Sequence, residues 1–141
     1  MNNWDQRFMS LAQHVACWSK DPSTKVGAVI VNNNKQVLSL GYNGFPRGVE
    51  DRPERYSDRP TKLLFVAHAE RNALDNAFTD TDGATLYSTL YPCTDCAKGI
   101  IQRGIKKVVT SKDKFEELSQ RFNFDVSETM FKEANVEVVL L

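Results

Sequence analysis

Ala84-Thr85-Leu86-Tyr87-Ser88-Thr89-Leu90-Tyr91-Pro92-Cys93-Thr94-Asp95-Cys96-Ala97-Lys98-Gly99-Ile100-Ile101-Gln102-Arg103-Gly104-Ile105-Lys106-Lys107-Val108-Val109-Thr110 is the stretch that decides the architecture. Ala84 to Thr89 reads as a strand, Pro92 opens a helix from about Cys93 to Arg103, and Lys107 to Thr110 reads as the next strand. Proline suits a helix entry, where a missing N–H costs little, and Gly104 ends the helix. Further on, residues 113–134 hold one or two helices and Val136 to Leu140 forms a last strand. Strand and helix therefore alternate from residue 84 onward, which predicts a mixed sheet covered by helices on both faces.

Upstream of this stretch the pattern changes. Trp4, Phe8, Leu11, Ala12, Val15 and Trp18 recur at three- and four-residue steps, an amphipathic helix that Ser19-Lys20-Asp21-Pro22 ends. Val26 to Val31 and Gln36 to Leu40 read as two strands of a hairpin joined at Asn32-Asn33-Asn34. Residues 41–60 are rich in Gly, Pro and charge and read as one long irregular loop, a kind of segment that is usually functional. Thr61 is placed as the N-cap of a helix through about Phe78, with His68 and Glu70 on it. The expectation is one α/β domain over residues 1–141 with a five-stranded mixed sheet.

At 141 residues, 41% hydrophobic and 26% charged, the chain has the make-up of an ordinary globular domain. Eighteen basic and eighteen acidic residues cancel, which argues against a long nucleic-acid partner held by clustered positive charge. Three cysteines, two of them in Cys93-Thr94-Asp95-Cys96, are no disulfide framework; the pair reads as a metal site or a redox pair. Met1-Asn2-Asn3-Trp4-Asp5 shows no basic or apolar targeting region, and no stretch approaches the roughly 20 apolar residues of a membrane span. The expected location is cytoplasmic, or host-cytoplasmic for a viral chain, with no membrane partner.

The chemistry is carried by His68-Ala69-Glu70 and Pro92-Cys93-Thr94-Asp95-Cys96. One imidazole and two thiolates make three zinc ligands, and catalytic zinc sites typically have three, whereas structural sites close with four. A Cys-x-x-Cys pair at a helix start brings both sulfurs to one side of the first turn, where the helix dipole favours thiolates. Glu70 is then the spare carboxylate, suited to proton transfer. Two residues apart is about 200° around a regular helix, so Glu70 reaches a metal on His68 only if His68 sits at a helix start. The alternative is a redox Cys-x-x-Cys with an unrelated His and Glu.

His-x-Glu followed by Pro-Cys-x-x-Cys is the known signature of zinc nucleobase deaminases. Beyond it the chain resembles the deoxycytidylate (dCMP) deaminases of the cytidine deaminase superfamily. The likeness lies in Trp4-Asp5, Phe8-Met9, Ser19 through Ala28, Gly41-Tyr42-Asn43-Gly44-Phe45-Pro46-Arg47-Gly48, Asn72-Ala73, Tyr91 through Lys98 and Gly104-Ile105-Lys106. It runs from about Trp4 to Val138. The resemblance implies a three-layer α/β/α sandwich, with His68, Cys93 and Cys96 as ligands of one zinc per chain and Glu70 as proton shuttle. It implies conversion of dCMP to dUMP and ammonia, feeding dTTP synthesis. It also implies a homohexamer activated by dCTP and inhibited by dTTP, with Mg²⁺ on the triphosphate. Asn43, Gly44, Pro46, Arg47 and Gly48 would lie at the effector, and Asn43 and Ala69 at the substrate. Some phage relatives hold a second zinc through Cys and His of the middle loop; residues 41–60 contain neither. Cys17 has no Cys or His partner close in sequence and reads as a packing residue, and His14 as a surface residue.

Three further segments stay open between two readings. Ser23, Thr24 and Lys25 suit a 5′-phosphate cradle, or form an ordinary turn. Phe115, after the strand at Lys107 to Thr110, would stack on the base at the carboxyl end of the sheet, or pack in the core. Arg47, Arg52, Arg55 and Arg59 among Asp51, Glu54 and Asp58 would grip a triphosphate and its Mg²⁺, or form a solvated loop. For function, the alternatives are a deaminase of another nucleoside or base, polymers being disfavoured by the balanced charge, and an inactive zinc-binding regulatory module.

Overall fold

Five strands form one mixed sheet in the computed structural model, which describes residues 3–141; Met1 and Asn2 lie outside the described residues. In chain order the elements are α1 (Asn3–Ala16), β1 (Gly27–Val31), β2 (Val37–Tyr42), α2 (Pro53–Ser57), α3 (Arg59–Phe65) and α4 (Ala69–Asn76). Then follow β3 (Thr85–Ser88), α5 (Thr94–Gln102), β4 (Lys107–Thr110), α6 (Phe115–Phe122), α7 (Phe124–Glu133) and β5 (Glu137–Leu140). The sheet order is β2-β1-β3-β4-β5. β1 pairs antiparallel with both β2 and β3, and β3-β4-β5 run parallel.

Side chains of a strand point alternately to its two faces, and the two cores follow that alternation. Ala28, Ile30, Leu86 and Val108 pack against Ala69, Ala73 and Leu74 of α4, Ala97 and Ile100 of α5, and Phe124 and Phe131 of α7. Val29, Val31, Tyr87 and Val109 turn the other way, onto Phe8, Met9 and Ala12 of α1. A strand covered on both faces reads as a continuous apolar run, as Ala28 to Val31 does. The α1 layer is also pinned by chemistry. The Tyr87 hydroxyl donates to the buried Asp5 carboxylate at 2.7 Å, and the Lys107 ammonium lies 3.3 Å from the same group.

The expected α/β/α sandwich with a five-stranded mixed sheet is what forms, and three local expectations are corrected. The helix assigned from Thr61 through Phe78 is two helices, α3 and α4. Between them Val66 is extended, and Ala67 exchanges backbone hydrogen bonds with Gly44 at 2.8 and 3.1 Å. A residue bridging to another segment cannot also continue the helical ladder. The N-cap of α3 is Asp58, not Thr61: its carboxylate accepts from the Thr61 N–H and hydroxyl. Residues 41–60 are not one irregular loop either. Gly41 and Tyr42 complete β2, and α2 forms within the segment. Phe45 stacks on Tyr56 at 4.2 Å between ring centres, and the Tyr56 hydroxyl donates to Asp51. Among the described residues no helix is long and apolar enough to cross a membrane.

Candidate active site

Two helix starts converge beside the sheet. His68 is the N-cap of α4 and Cys93 the N-cap of α5, both in extended backbone conformation, with Cys96 in the first turn of α5. Gly104, with φ +77°, ends the helix–turn unit after Arg103. His68 Nδ1 lies 3.4 Å from Cys93 Sγ and 3.4 Å from Cys96 Sγ. The three possible ligand atoms fall within 4.8 Å of one another. A tetrahedral zinc with ordinary Zn–N and Zn–S bonds places N and S about 3.6 Å apart, close to the spacing between His68 and each cysteine, so the donor set fits a zinc ion.

The requirement on Glu70 is met by the break before α4. Because His68 caps the helix, its extended backbone lets Glu70 in the first turn share the same wall. Glu70 is 4% exposed, and its carboxyl interacts with the Cys96 side chain. Burial pushes that carboxyl up to about 7, the neighbouring Cys93 adding to the rise and His68 opposing it. Within the cluster the two cysteines share protons unequally. A hydrogen bond from Cys96 and another from His68 hold the Cys93 thiol down at about 4 against burial. The bond to Cys93, with burial, raises Cys96. The hydrogen bond to Cys93 pushes His68 up to about 9. A divalent cation takes thiolates and neutral imidazole, so metal uptake at these residues releases protons and strengthens with pH.

His68, Glu70 and Cys93 line a cleft of about 700 Å³, counting space open to solvent. Its other end is polar. Asp21 is 2% exposed and accepts from the Ser23 N–H and hydroxyl at 2.9 Å, from the Thr24 N–H at 3.2 Å and from Lys62. Burial by itself would raise the Asp21 carboxyl, but the N–H groups of Ser23 and Thr24 and the Lys62 ammonium together hold it below the usual range. Asn43 is also buried on this wall. Its side chain accepts from the Val26 N–H at 2.8 Å and donates to the Thr24 carbonyl at 2.8 Å.

The structure thus brings Asn43, Thr24, Ala69, Glu70, His68 and Cys93 to one cleft. Ser23 is exposed and hydrogen-bonds Asp21 and Lys62 of the lining, whereas exposed Lys25 is not among the residues that line this cleft. Phe115 packs edge-on against Tyr91 and beside Phe124, outside the lining. Pro46 faces a second cleft of about 990 Å³, again counting open space, between α4 and α5. Gly44 is held by its bridge to Ala67, Arg47 donates to Asn76 at 2.8 Å, and Gly48 turns at φ +82° with open space around it. Cys17 is exposed. Lys62, Leu118 and Arg121 also line the first cleft, and the sequence reading passed over them. The i, i+4 pair Leu118 and Phe122 is the signal of an inward α6 face that it contained.

A His-Cys-Cys cluster beside a buried carboxylate, on a three-layer sandwich, defines a zinc-binding hydrolytic enzyme. The chain belongs to the cytidine and deoxycytidylate deaminases, the model of whose zinc-binding region matches residues 2–112. It is 42% identical over 142 aligned positions to an "uncharacterized deaminase in luxG 3'region" of Aliivibrio fischeri, covering all of this chain and 95% of the relative. It is 40% identical to the deoxycytidylate deaminase of Homo sapiens, over 92% of this chain and 78% of that one. The crystal structure of dCMP deaminase from cyanophage S-TIM5 in complex with dCMP and dUMP superposes with a TM-score of 0.78 at 30% identity, covering 100% and 99% of the two chains.

Proposed function

We infer that this chain converts dCMP and water to dUMP and ammonia in the cleft between His68 and Asn43. The observation that carries the reading is the make-up of that cleft, a metal-type cluster and buried carboxylate at one end and a buried polar wall at the other. Support comes from the end-to-end likeness to a cyanophage enzyme that holds dCMP and dUMP.

His68, Cys93 and Cys96 would hold one zinc per chain, which supplies the Lewis acidity that lets water lose a proton near neutral pH. Glu70 takes a proton from water and delivers it to N3 of the cytosine ring as the water oxygen bonds to C4. It then carries the proton of the new C4 hydroxyl to the amino group, which leaves as ammonia as the C4–N bond breaks and the C4 carbonyl forms. A carboxyl lifted to about 7 by burial is suited to both halves of that transfer. Ala69, fully buried on the cleft wall, offers a flat contact for the base, and Asn43 and Thr24 line the sugar end. Ser23 and Lys25 flank that end, with Phe115 supporting the wall through Tyr91.

The same reading places an effector site on Asn43, Gly44, Pro46, Arg47 and Gly48, taking dCTP as activator and dTTP as inhibitor with Mg²⁺, at subunit contacts of a homohexamer. Pro46 beside the second cleft and the open backbone at Gly48 support it. The enzyme would act in the cytoplasm, or host cytoplasm, and supply dUMP for dTTP synthesis. Ammonia release from dCMP, CMP, cytidine and dCTP, each with and without dTTP, tests the whole reading. The expected result is a preference for dCMP of about tenfold or more over the others, suppressed by dTTP. Preference for cytidine would overturn the substrate, and indifference to dTTP would overturn the regulation.

A further inference from the structure

No residue from Phe65 to Ala69 is a glycine or a proline, so the local sequence leaves α3 free to run on as a helix through Val66, Ala67 and His68. A continuous helix would put Glu70 about 200° around from His68 and off the metal cluster. The break that prevents this is held by contacts made outside the helix. In a continuous ladder the Ala67 carbonyl would accept from the Arg71 N–H. Here it accepts from the Gly44 N–H at 3.1 Å and from the Asn72 side chain at 3.4 Å. The Asn72 amide also donates to the Tyr42 carbonyl at 2.8 Å, at the end of β2 on the sheet edge. Both of its side-chain N–H donors are thereby used. The Asn72 backbone N–H donates to the His68 carbonyl at 3.0 Å, so one residue grips the peptides on both sides of His68.

We propose that Asn72 is a positioning residue for the reaction. Its side-chain amide fixes the break at Ala67, and through it the way His68 meets Cys93 and Cys96 and the way Glu70 faces the cleft. This rests on the zinc and proton-transfer reading above. Asn76 supplies the contrast. One turn further along α4 it makes the same kind of contact, donating to the Leu40 carbonyl of β2 at 3.1 Å. Its other partner is Arg47, and neither Leu40 nor Arg47 belongs to the break. Both amides fasten α4 to β2; of the two, only Asn72 also holds Ala67.

The test measures zinc affinity by competition with a chelator, melting temperature, and kcat and KM for dCMP at saturating zinc. It compares the parent, Asn72→Ala, Asn72→Gln and Asn76→Ala with no effector nucleotide present. Asn72→Ala is expected to bind zinc about tenfold to a hundredfold more weakly, the usual effect of losing a group that orients a metal ligand. At saturating zinc its kcat is expected to fall by about 10²-fold, because Glu70 shifts with the break, while KM changes little. Asn72→Gln keeps the amide and recovers part of both. Asn76→Ala loses a comparable fastening of α4 to β2 and is expected to melt lower with zinc affinity and kcat kept. Zinc affinity and kcat of Asn72→Ala equal to the parent's would overturn the proposal. Equal losses in Asn76→Ala would overturn it too, reducing Asn72 to general support of α4. A parent that binds zinc yet makes no dUMP would overturn the deaminase reading instead, and the zinc affinities would still decide whether Asn72 places His68.

Discussion

Glu70→Gln is expected to keep zinc near one per chain and to lose deamination by about 10²–10⁴-fold, the span of general acid–base catalysis by one positioned group. The amide has nearly the volume of the carboxyl, so a residue 4% exposed in the first turn of α4 is replaced without a cavity. His68, Cys93 and Cys96 keep their positions, since they are set by the starts of α4 and α5. What disappears is a buried carboxyl on the cleft wall able to hold and return a proton near neutral pH. Metal content measured beside ammonia release separates the two effects. Zinc retained with activity within tenfold of the parent would remove Glu70 from proton transfer; zinc lost with activity would make it a residue that places the ligands.

Gly41→Ala is expected to damage fold and site together. A Cβ at Gly41 would overlap the Ala73 N and the Ala69 carbonyl oxygen and come within 2.8 Å of the Ala73 Cα, all backbone of α4. Carbon atoms pack at about 3.5–4.0 Å, so α4 would have to move off β2 by about 1 Å. Small residues make the present contact possible: Ala69 and Ala73 face the glycine, and the Ser39 hydroxyl donates to the Ala73 carbonyl. Overpacking of this kind costs about 1–3 kcal/mol and sometimes more, or roughly 10 °C in Tm at the upper figure. The same shift carries His68 and Glu70 away from Cys93 and Cys96, and a misplacement of about 1 Å is worth about 10²-fold in rate. Gly99→Ala is the control, because its Cβ would meet only the flexible Leu74 Cδ1 at 3.2 Å. Thermal melts and zinc affinity of the two variants check this; a Gly41→Ala chain that melts and binds zinc like Gly99→Ala would show that α4 is not held by this contact.

The parts of the fold legible in the sequence are those that local pattern controls. Pro92 and Gly104 bracket α5, and Lys107 to Thr110 forms β4, because capping and alternation act over a few residues. The metal cluster was legible for the same reason, Cys93 and Cys96 being fixed by one helix turn. The break before His68 was not legible as a break, since the bridge from Ala67 to Gly44 is made across the fold. Even so, the demand that His68 open its helix followed from the angle between i and i+2 alone. Asp58 displaced Thr61 as N-cap because an aspartate three residues earlier accepts from both Thr61 donors. The polar wall was partly hidden: Asp21 and Lys62 lie 41 residues apart and meet only when α3 folds over the turn after α1. Arg121 was hidden in an amphipathic helix whose inward face is set by contact with the rest of the fold.

The most direct measurement is the rate of dUMP formation from dCMP as chelator-stripped protein is titrated with zinc, with bound metal quantified at each point. A cluster of one imidazole and two thiolates, with Glu70 outside it, predicts activity that rises linearly from zero and saturates at one zinc per chain. Full dUMP formation by the stripped protein, or saturation only at two zinc ions per chain, would contradict it.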